Sequence, residues 1–307
     1  MSAVVGSLAS AIGVPTPLTE LPTGAMPSEV AGELMDRGQK LCPVTDDEMP
    51  LVEASVSRSL ADAGVDRRSV GHVLVATETM TVSGSRDAHE RVRGRLHRTL
   101  SGLGLGHAPV TALTFGGCSA VMTALEYAAL LVEREPGGCV LVVAIGRMHA
   151  GDSRVLAPAI SAIGDGVASC VVLAEGTGWR VRWMLRQAFL QTAEFDQAAD
   201  FGPTLVVLGR ALRSLRGEAE KHGLPDRPRL VCNNYGLPTV RLFSSTLGVP
   251  ADDVFTDNIS LLSHLGTPDI LINLASLPET TTDVLTLATG PADCVLASLE
   301  RTRSDPV

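Results

Sequence analysis

The sequence predicts an α/β protein with a duplicated architecture, on three observations. Apolar runs of strand length alternate along the chain with longer stretches of helical periodicity. The rhythm helix-strand-helix-strand-helix-strand-strand occurs twice, with the repeats meeting near residues 175–179. The composition, 45% hydrophobic but only 3% aromatic, suits buried parallel strands better than an aromatic-rich sandwich. At 307 residues the chain can hold one large domain or two small ones. We divide it into halves at residues 1–175 and 176–307, with no clear residue-level repetition between them.

Each element has a local reason. Residues 4–9 are an apolar run of strand length, and the segment from there to about residue 46 is punctuated by Pro and Gly and reads as irregular. Thr45 is placed to cap a helix of about 18 residues that ends at Gly64. A strand at 73–77, a helix at 86–103 and a strand at 110–115 follow, then a helix at 119–133 and strands at 140–145 and 168–174. In the second half, helices are expected at 205–222, 237–247 and 268–277, with strands at 229–232 and 254–256 between them. Thr267 can cap the last of these, with Pro268 at its first position, where a missing N–H breaks no helical bond. Runs at 284–288 and 294–299 close the chain as a strand pair. Such alternation implies parallel sheets covered by helices.

Composition removes several function classes. The formal net charge is −9, from 25 basic and 34 acidic residues, and no Lys/Arg block is interleaved with aromatics, which argues against nucleic-acid binding. The six cysteines are scattered without metal-ligand spacing. Cys139, Cys170, Cys232 and Cys294 lie in or beside apolar runs and read as core, which fits a reducing cytoplasm. Residues 1–14 are apolar but lack a basic leader, and Pro15 and Pro17 break the run, so no signal peptide is expected. No apolar stretch reaches membrane-spanning length.

Chemistry concentrates at two places. In Thr114-Phe115-Gly116-Gly117-Cys118-Ser119-Ala120 a thiol sits where an apolar strand turns through two glycines into a helix. Unpaired N–H groups and the macrodipole at a helix start favour an anion, and the thiolate is the reactive form of cysteine. The alternative is a small inert core residue. In Ser263-His264-Leu265-Gly266-Thr267-Pro268-Asp269 the imidazole lies on a loop and Asp269 in the first turn of the next helix. Asp269 can bind one imidazole N–H and fix the tautomer, leaving the other nitrogen of His264 as a base. The competing reading is a surface histidine beside a capping aspartate. Paired with Cys118, the two supply the base and orienter that a nucleophile needs. His149 is a further acid–base candidate. Asn233, after a strand end, can donate to a carbonyl oxygen, although Asn-Gly loops are also ordinary turns. Gly164-Asp165-Gly166 reads as a tight turn into a strand. No phosphate loop or dinucleotide fingerprint is present.

With these residues in view, the chain resembles the thiolase superfamily, and within it the β-ketoacyl-ACP synthase III-like enzymes. Gly116-Gly117-Cys118-Ser119-Ala120 matches the nucleophile corner, Ile163-Gly164-Asp165-Gly166-Val167-Ala168 the Gly-Asp-Gly turn, and the order of elements agrees over nearly the whole chain. The resemblance implies a thiolase-like, duplicated αβαβα layered fold and a homodimer, with Cys118 in the first half and His264 and Asp269 in the second. It implies that Cys118 accepts an acyl group from acyl-CoA or from the phosphopantetheine of an acyl carrier protein, with no permanently bound cofactor. It also implies an oxyanion site built from the Cys118 N–H and a second N–H near Gly290-Pro291-Ala292, which we assign to Ala292 because proline has none.

Condensing members carry a histidine where this chain has Asn233-Asn234-Tyr235-Gly236, and an asparagine at Ser263-His264-Leu265-Gly266. There, His and Asn stabilise an enolate with paired hydrogen bonds. His264-x-Gly266-x-x-Asp269 instead resembles the acyltransferase branch, whose oriented His removes a proton from an alcohol or amine. The expected function is acyl transfer through a Cys118 thioester to an alcohol or amine acceptor in specialised metabolism. A condensing enzyme using His264 and Asn233 is one alternative. A non-catalytic subunit of a heterodimeric synthase is another, against which the retention of Cys118 and His264 argues.

Overall fold

The computed structural model describes residues 3–78, 86–135, 137–196 and 199–302. The first half contains β1 (Val4–Ile12), β2 (Val14–Pro17), α1 (Ser28–Asp36), β3 (Leu41–Val44), α2 (Met49–Ala63), β4 (Val70–Thr77), α3 (Arg86–Gly102), β5 (Val110–Leu113), α4 (Ala120–Arg134) and β6 (Cys139–Gly146). It ends with the short β7 (Val155–Leu156) and β8 (Ser161–Ala162), then β9 (Gly166–Leu173). The second half contains β10 (Gly178–Ala188), α5 (Phe201–His222), β11 (Arg229–Cys232), α6 (Leu237–Leu247), α7 (Ile259–Leu262), α8 (Asp269–Ala275), β12 (Asp283–Thr289) and β13 (Asp293–Thr302).

Nine strands are hydrogen-bonded in the order β11-β12-β13-β10-β1-β9-β6-β4-β5. Among the described residues, only the β4–β5, β4–β6 and β11–β12 pairs of this sheet are parallel. The sheets are therefore mixed, which corrects the expectation of parallel sheets. The cause is local: no helix separates β6 from β9 or β12 from β13, and strands joined without a crossover helix return antiparallel. At the join between halves, β1 and β10 pair through only Val4↔Arg180 and Val5↔Trp179.

Strand alternation then builds the layers. In β6, Val140, Val142 and Ala144 face one core, and Leu141, Val143 and Ile145 face another. The first core is the centre of the molecule and holds α4 and α8 between the strands of the two halves. Outside it, α2 and α3 cover one half and α5 and α6 the other, each over its own apolar core. This is the αβαβα layering. Small side chains on α4, Ala120, Ala124 and Ala128, let the middle layer close tightly, while Met122 and Leu125 fill it. Each large apolar side chain buried here contributes about 1.5–3 kcal/mol.

Several elements differ from expectation. The segment read as irregular pairs β2 with β3 and forms α1, packed as a small core around Leu18, Met26 and Leu34. Pro15, Pro17 and Pro43 lie on a two-stranded ribbon, where a missing N–H is tolerated, and Pro27 directly precedes α1. Thr45 does not cap α2: the helix starts at Met49, whose N–H donates to Asp47 Oδ1 at 2.8 Å. Residues 254–256 make a single bridge, Val254 to Leu230, instead of a strand. Among the described residues, no helix is long and apolar enough to cross a membrane.

The Gly-Asp-Gly turn has a structural task. Asp165 is fully buried and accepts from Arg154 Nη1 and Nη2 at 3.0 and 2.7 Å, from Met148 N at 2.8 Å and from Thr45 N at 2.9 Å. One carboxylate thus ties three loops together. Arg154→Met strands that charge without its partner and is expected to cost about 3–5 kcal/mol. A lowered urea midpoint at unchanged slope checks this, and an unchanged midpoint contradicts it.

Candidate active site

The two middle-layer helices bring the chemistry together, because Cys118 precedes α4 and His264 precedes α8. After β5 the chain turns through Gly116 and Gly117 into a single 3-10 turn, Gly117–Ser119, that runs into α4. Gly117 has φ +57°, and a Cβ there would fall 2.4 Å from Pro291 Cδ and 2.5 Å from Glu78 Oε1. Only glycine fits on both counts. The Ser119 hydroxyl, 2.7 Å from Gly116 O and 2.5 Å from Asp293 Oδ1, fastens the corner to β13.

The histidine loop is pinned on its other side. His264 N donates to Ala162 O at 3.0 Å, and Gly164 N donates to His264 O at 2.9 Å. Ser263 just before it has φ +52°, a conformation a non-glycine residue adopts only when its surroundings hold it there; its hydroxyl donates to Leu41 O at 2.8 Å. Thr267 does not cap α8. Its hydroxyl lies 3.1 Å from the carbonyls of both Ala76 and Ile145, tying the loop to the ends of β4 and β6. At Gly146 a Cβ would sit 1.7 Å from Leu265 O, so the loop rests on bare sheet backbone.

These anchors bring Cys118 Sγ to 3.1 Å from His264 Nε2 and Asp269 Oδ2 to 2.5 Å from His264 Nδ1. Residues 146 positions apart thus meet in one buried line, with Asp269 on the nitrogen remote from sulfur. Asp269 also accepts from Asn234 N at 2.8 Å and Asn234 Nδ2 at 3.3 Å, and from Leu265 N at 2.9 Å. Asn273 Nδ2 in turn donates to Asn234 Oδ1 at 2.9 Å. The Tyr235 ring lies 4.7 Å from the imidazole, its hydroxyl 2.9 Å from Thr289 Oγ1.

Electrostatics follow from burial and proximity. Burial pushes the Cys118 thiol up, His264 opposes this, and Glu78 and Asp269 add to it. For His264, burial favours the neutral ring, but the charges and hydrogen bonds of Cys118 and Asp269 outweigh it and hold the imidazole well above its ordinary value. A thiolate is therefore favoured here only as half of a pair with imidazolium. All six cysteines are buried, and Cys118 alone of them bonds to an imidazole among the described contacts.

The other candidates fall as follows. Asn233 is buried beside the pair, but its Oδ1 accepts from Thr289 N at 3.0 Å and its Nδ2 lies 3.5 Å from Gly266 O. Its oxygen is engaged by backbone, while the long Nδ2 contact leaves a second N–H for another acceptor. The turn carrying Ala292 packs on the Cys118 corner: a Cβ on Gly290 would meet Gly116 O at 2.3 Å, and Ala292 O accepts from Phe189 N at 2.8 Å. His149 lines a cavity of about 100 Å³ together with Glu78, Arg147, Asp152, Gly266 and Thr267. A larger groove, lined by Arg213, Arg216 and Glu220, shares no residue with the Cys118 centre, so size is not the guide here. Glu78, Asn234 and Tyr235 were not selected from the sequence. Glu78 follows the carboxyl end of the parallel strand β4, a place where ligand groups gather, and that signal could have found it.

The layering is a thiolase-like fold, shared with solved structures of 3-oxoacyl-(acyl carrier protein) synthase III and of type III polyketide synthase. Solved structures similar to the chain include ChlB3, described as an acyltransferase, at 17% identity and TM-score 0.79, covering 98% of both chains. FabH, the 3-oxoacyl-(acyl carrier protein) synthase III of Pseudomonas aeruginosa, is also 17% identical, at TM-score 0.78 with 100% of both chains covered. The C-terminal type III polyketide synthase domain of Steely1 from Dictyostelium is 14% identical at TM-score 0.78, covering 99% of this chain and 100% of that domain. Comparison by sequence finds no matching family model and no matching curated protein.

Proposed function

We propose that the protein is an acyltransferase that moves an acyl group from acyl-CoA or acyl carrier protein, through a Cys118 thioester, to an alcohol or amine acceptor in specialised metabolism. The observation that carries this reading is the line Asp269–His264–Cys118, with the carboxylate on Nδ1 and the sulfur on Nε2. In the loading step the Cys118 thiolate attacks the donor carbonyl, and the developing oxyanion is met by the N–H groups of Cys118 and Ala292. The donor thiolate leaves with the proton of the imidazolium. Neutral His264 then removes a proton from the acceptor, which attacks the acyl-Cys118 carbonyl and restores the thiolate–imidazolium pair.

Condensation is the weaker reading because the group on Cys118 is an imidazole oriented by a carboxylate on its other nitrogen, the arrangement of a general base. A donor bearing the phosphopantetheine arm accords with the similarity to ChlB3 and FabH, and the chain needs no resident cofactor for these steps. We further propose a homodimer formed across β5, an edge strand of the sheet, with Phe115 next to it 96% exposed. The absence of disulfides among the described residues suits a reducing cytoplasm.

The test is intact-mass measurement after incubation with acyl-CoA thioesters and with acyl carrier protein thioesters. One acyl mass per chain, discharged by an alcohol or an amine, is the expected result. Carbon dioxide released from a malonyl donor in step with product identifies a condensing enzyme instead.

A further inference from the structure

We propose that Ser119 and Asp293 form a clasp that sets the spacing of the two oxyanion donors, and that Arg186 braces it. The inference rests on the acyl-enzyme reading above and names positioning residues for its loading step. It begins with where the donors sit. The N–H groups assigned to the oxyanion belong to Cys118, on the nucleophile corner, and to Ala292, on the turn between β12 and β13. The residue after each donor carries the link. Across 174 positions of chain, the Ser119 hydroxyl lies 2.5 Å from Asp293 Oδ1. A hydroxyl on a carboxylate at that distance is in the charge-assisted range. Among the described residues it is the one hydrogen bond between corner and turn.

The surroundings leave this link little freedom. Ser119 is fully buried, and its hydroxyl also lies 2.7 Å from Gly116 O, within the corner itself. The other Asp293 oxygen accepts from Arg186 Nη1, and Arg186 Nη2 donates to Thr123 Oγ1 at 2.7 Å. Arg186 thus joins β10 and the start of β13 to the first turn of α4. On its far side the turn is fixed as well. Phe189 N donates to Ala292 O at 2.8 Å, and the Thr192 hydroxyl lies 2.9 Å from Pro291 O. Bare backbone completes the fit. The point where a side chain on Gly290 would begin lies 2.3 Å from Gly116 O, 2.9 Å from Asp293 Oδ1 and 3.1 Å from the Ser119 hydroxyl. Glycine at 290 is what lets turn and corner close.

The spacing counts when charge develops. In loading, the Cys118 sulfur bonds to the donor carbonyl carbon as the carbonyl electron pair moves onto oxygen. Collapse of that oxyanion breaks the donor's own carbon–sulfur bond, and the donor thiolate leaves with the imidazolium proton. Donors stabilise such an oxyanion only if they are already aimed at the place it forms, and a 1 Å misplacement can cost about 10²-fold. The Cys118–His264 pair has separate support, because the His264 loop is anchored on Ala162, on Leu41 and on the ends of β4 and β6. Alkylation by iodoacetamide draws on the same thiolate but builds no oxyanion, since its carbon–sulfur bond forms as the carbon–iodine bond breaks. The two reactions therefore separate a clasp on the oxyanion site from general support of the nucleophile.

The experiment runs both reactions on the full chain and reads them by mass. One is acyl uptake from a series of thioesters, acetyl-CoA to octanoyl-CoA, and the other is carbamidomethylation of Cys118 by iodoacetamide. Ser119→Ala unfastens the clasp and Gly290→Ala wedges it open. Each is expected to slow acyl uptake about 10- to 100-fold. The donor concentration at half-maximal rate and the alkylation rate should both stay within about twofold of wild type. Arg186→Met is expected to slow uptake by less, again with alkylation unchanged. Wild-type uptake in Ser119→Ala or Gly290→Ala overturns the clasp, and in Arg186→Met it overturns the brace. Uptake and alkylation that fall in step overturn both, because the corner then supports the thiol and not the oxyanion. None of these results touches the acyl-enzyme reading. A wild type that takes no acyl group from any thioester overturns that reading, and this inference with it.

Discussion

Cys118→Ala is expected to take up no acyl group from a thioester donor and to lose transfer activity by about 10³-fold or more. The magnitude follows from the absence of a substitute. Cys42 is pushed up to about 11 by burial and Cys294 to about 12, while Cys170 and Cys232 are raised further still, also by burial. Of the described cysteine contacts, only that of Cys118 is with His264, so the neighbouring thiols cannot take over. Removing the sulfur takes away a small group at the end of α4, and the thermal midpoint should move little. Intact mass and a melting curve on the same sample check both parts. An adduct that survives in the variant refutes Cys118 as the nucleophile.

Asp269→Asn carries the second large effect. The carboxylate is fully buried, and each of its oxygens accepts a backbone N–H, Oδ1 from Leu265 and Oδ2 from Asn234. An asparagine must turn its NH₂ toward one of these donors, whichever way the amide is flipped. The cost is about 1–3 kcal/mol of stability for the unsatisfied contact, and transfer is expected to fall about 10²–10⁴-fold because the imidazole loses its orientation. The pH dependence has a definite sign. His264 is held well above its ordinary value partly by Asp269, so neutralising that carboxylate lowers the imidazole pKa. The alkaline limb of the Cys118 loading profile should therefore move to lower pH in the variant. Stability follows the same linkage: the wild-type gain from His264 is complete below pH 6.5 and is lost as pH rises through the raised native value. Loading rates and urea midpoints across pH measure both, and a profile that coincides with wild type refutes the orienting role.

What was legible in the sequence is what local pattern encodes. The glycine pair before Cys118 and the loop-to-helix step from His264 to Asp269 are short-range signals, and their meeting followed from a resemblance in element order. Asn234 and Glu78 were not legible in that way. Asn234 is one residue from Asn233, and only the fold decides which amide reaches Asp269 and which is engaged by Thr289 and Gly266. Glu78 gains its meaning from Gly117, 39 positions later, which leaves it room. Thr267 looked like a cap because Ser and Thr often are, but two strand-end carbonyls claim its hydroxyl. β10 escaped notice because Arg180 and Arg182 interrupt an apolar run whose Trp179 and Val181 are buried. Alternation read without the partner strand is ambiguous.

The division of the reactive pair between the chain's two halves has a consequence for biosynthesis. Chains emerge from the ribosome N-terminus first, so Cys118 exists for some time before His264 has been made. During that interval the thiol has no imidazole beside it and stays in its ordinary protonated form, a poor trap for cellular thioesters. On the proposed function it becomes a nucleophile only when the last helix of the middle layer docks, so activation of the thiol waits for the second half of the chain to be made.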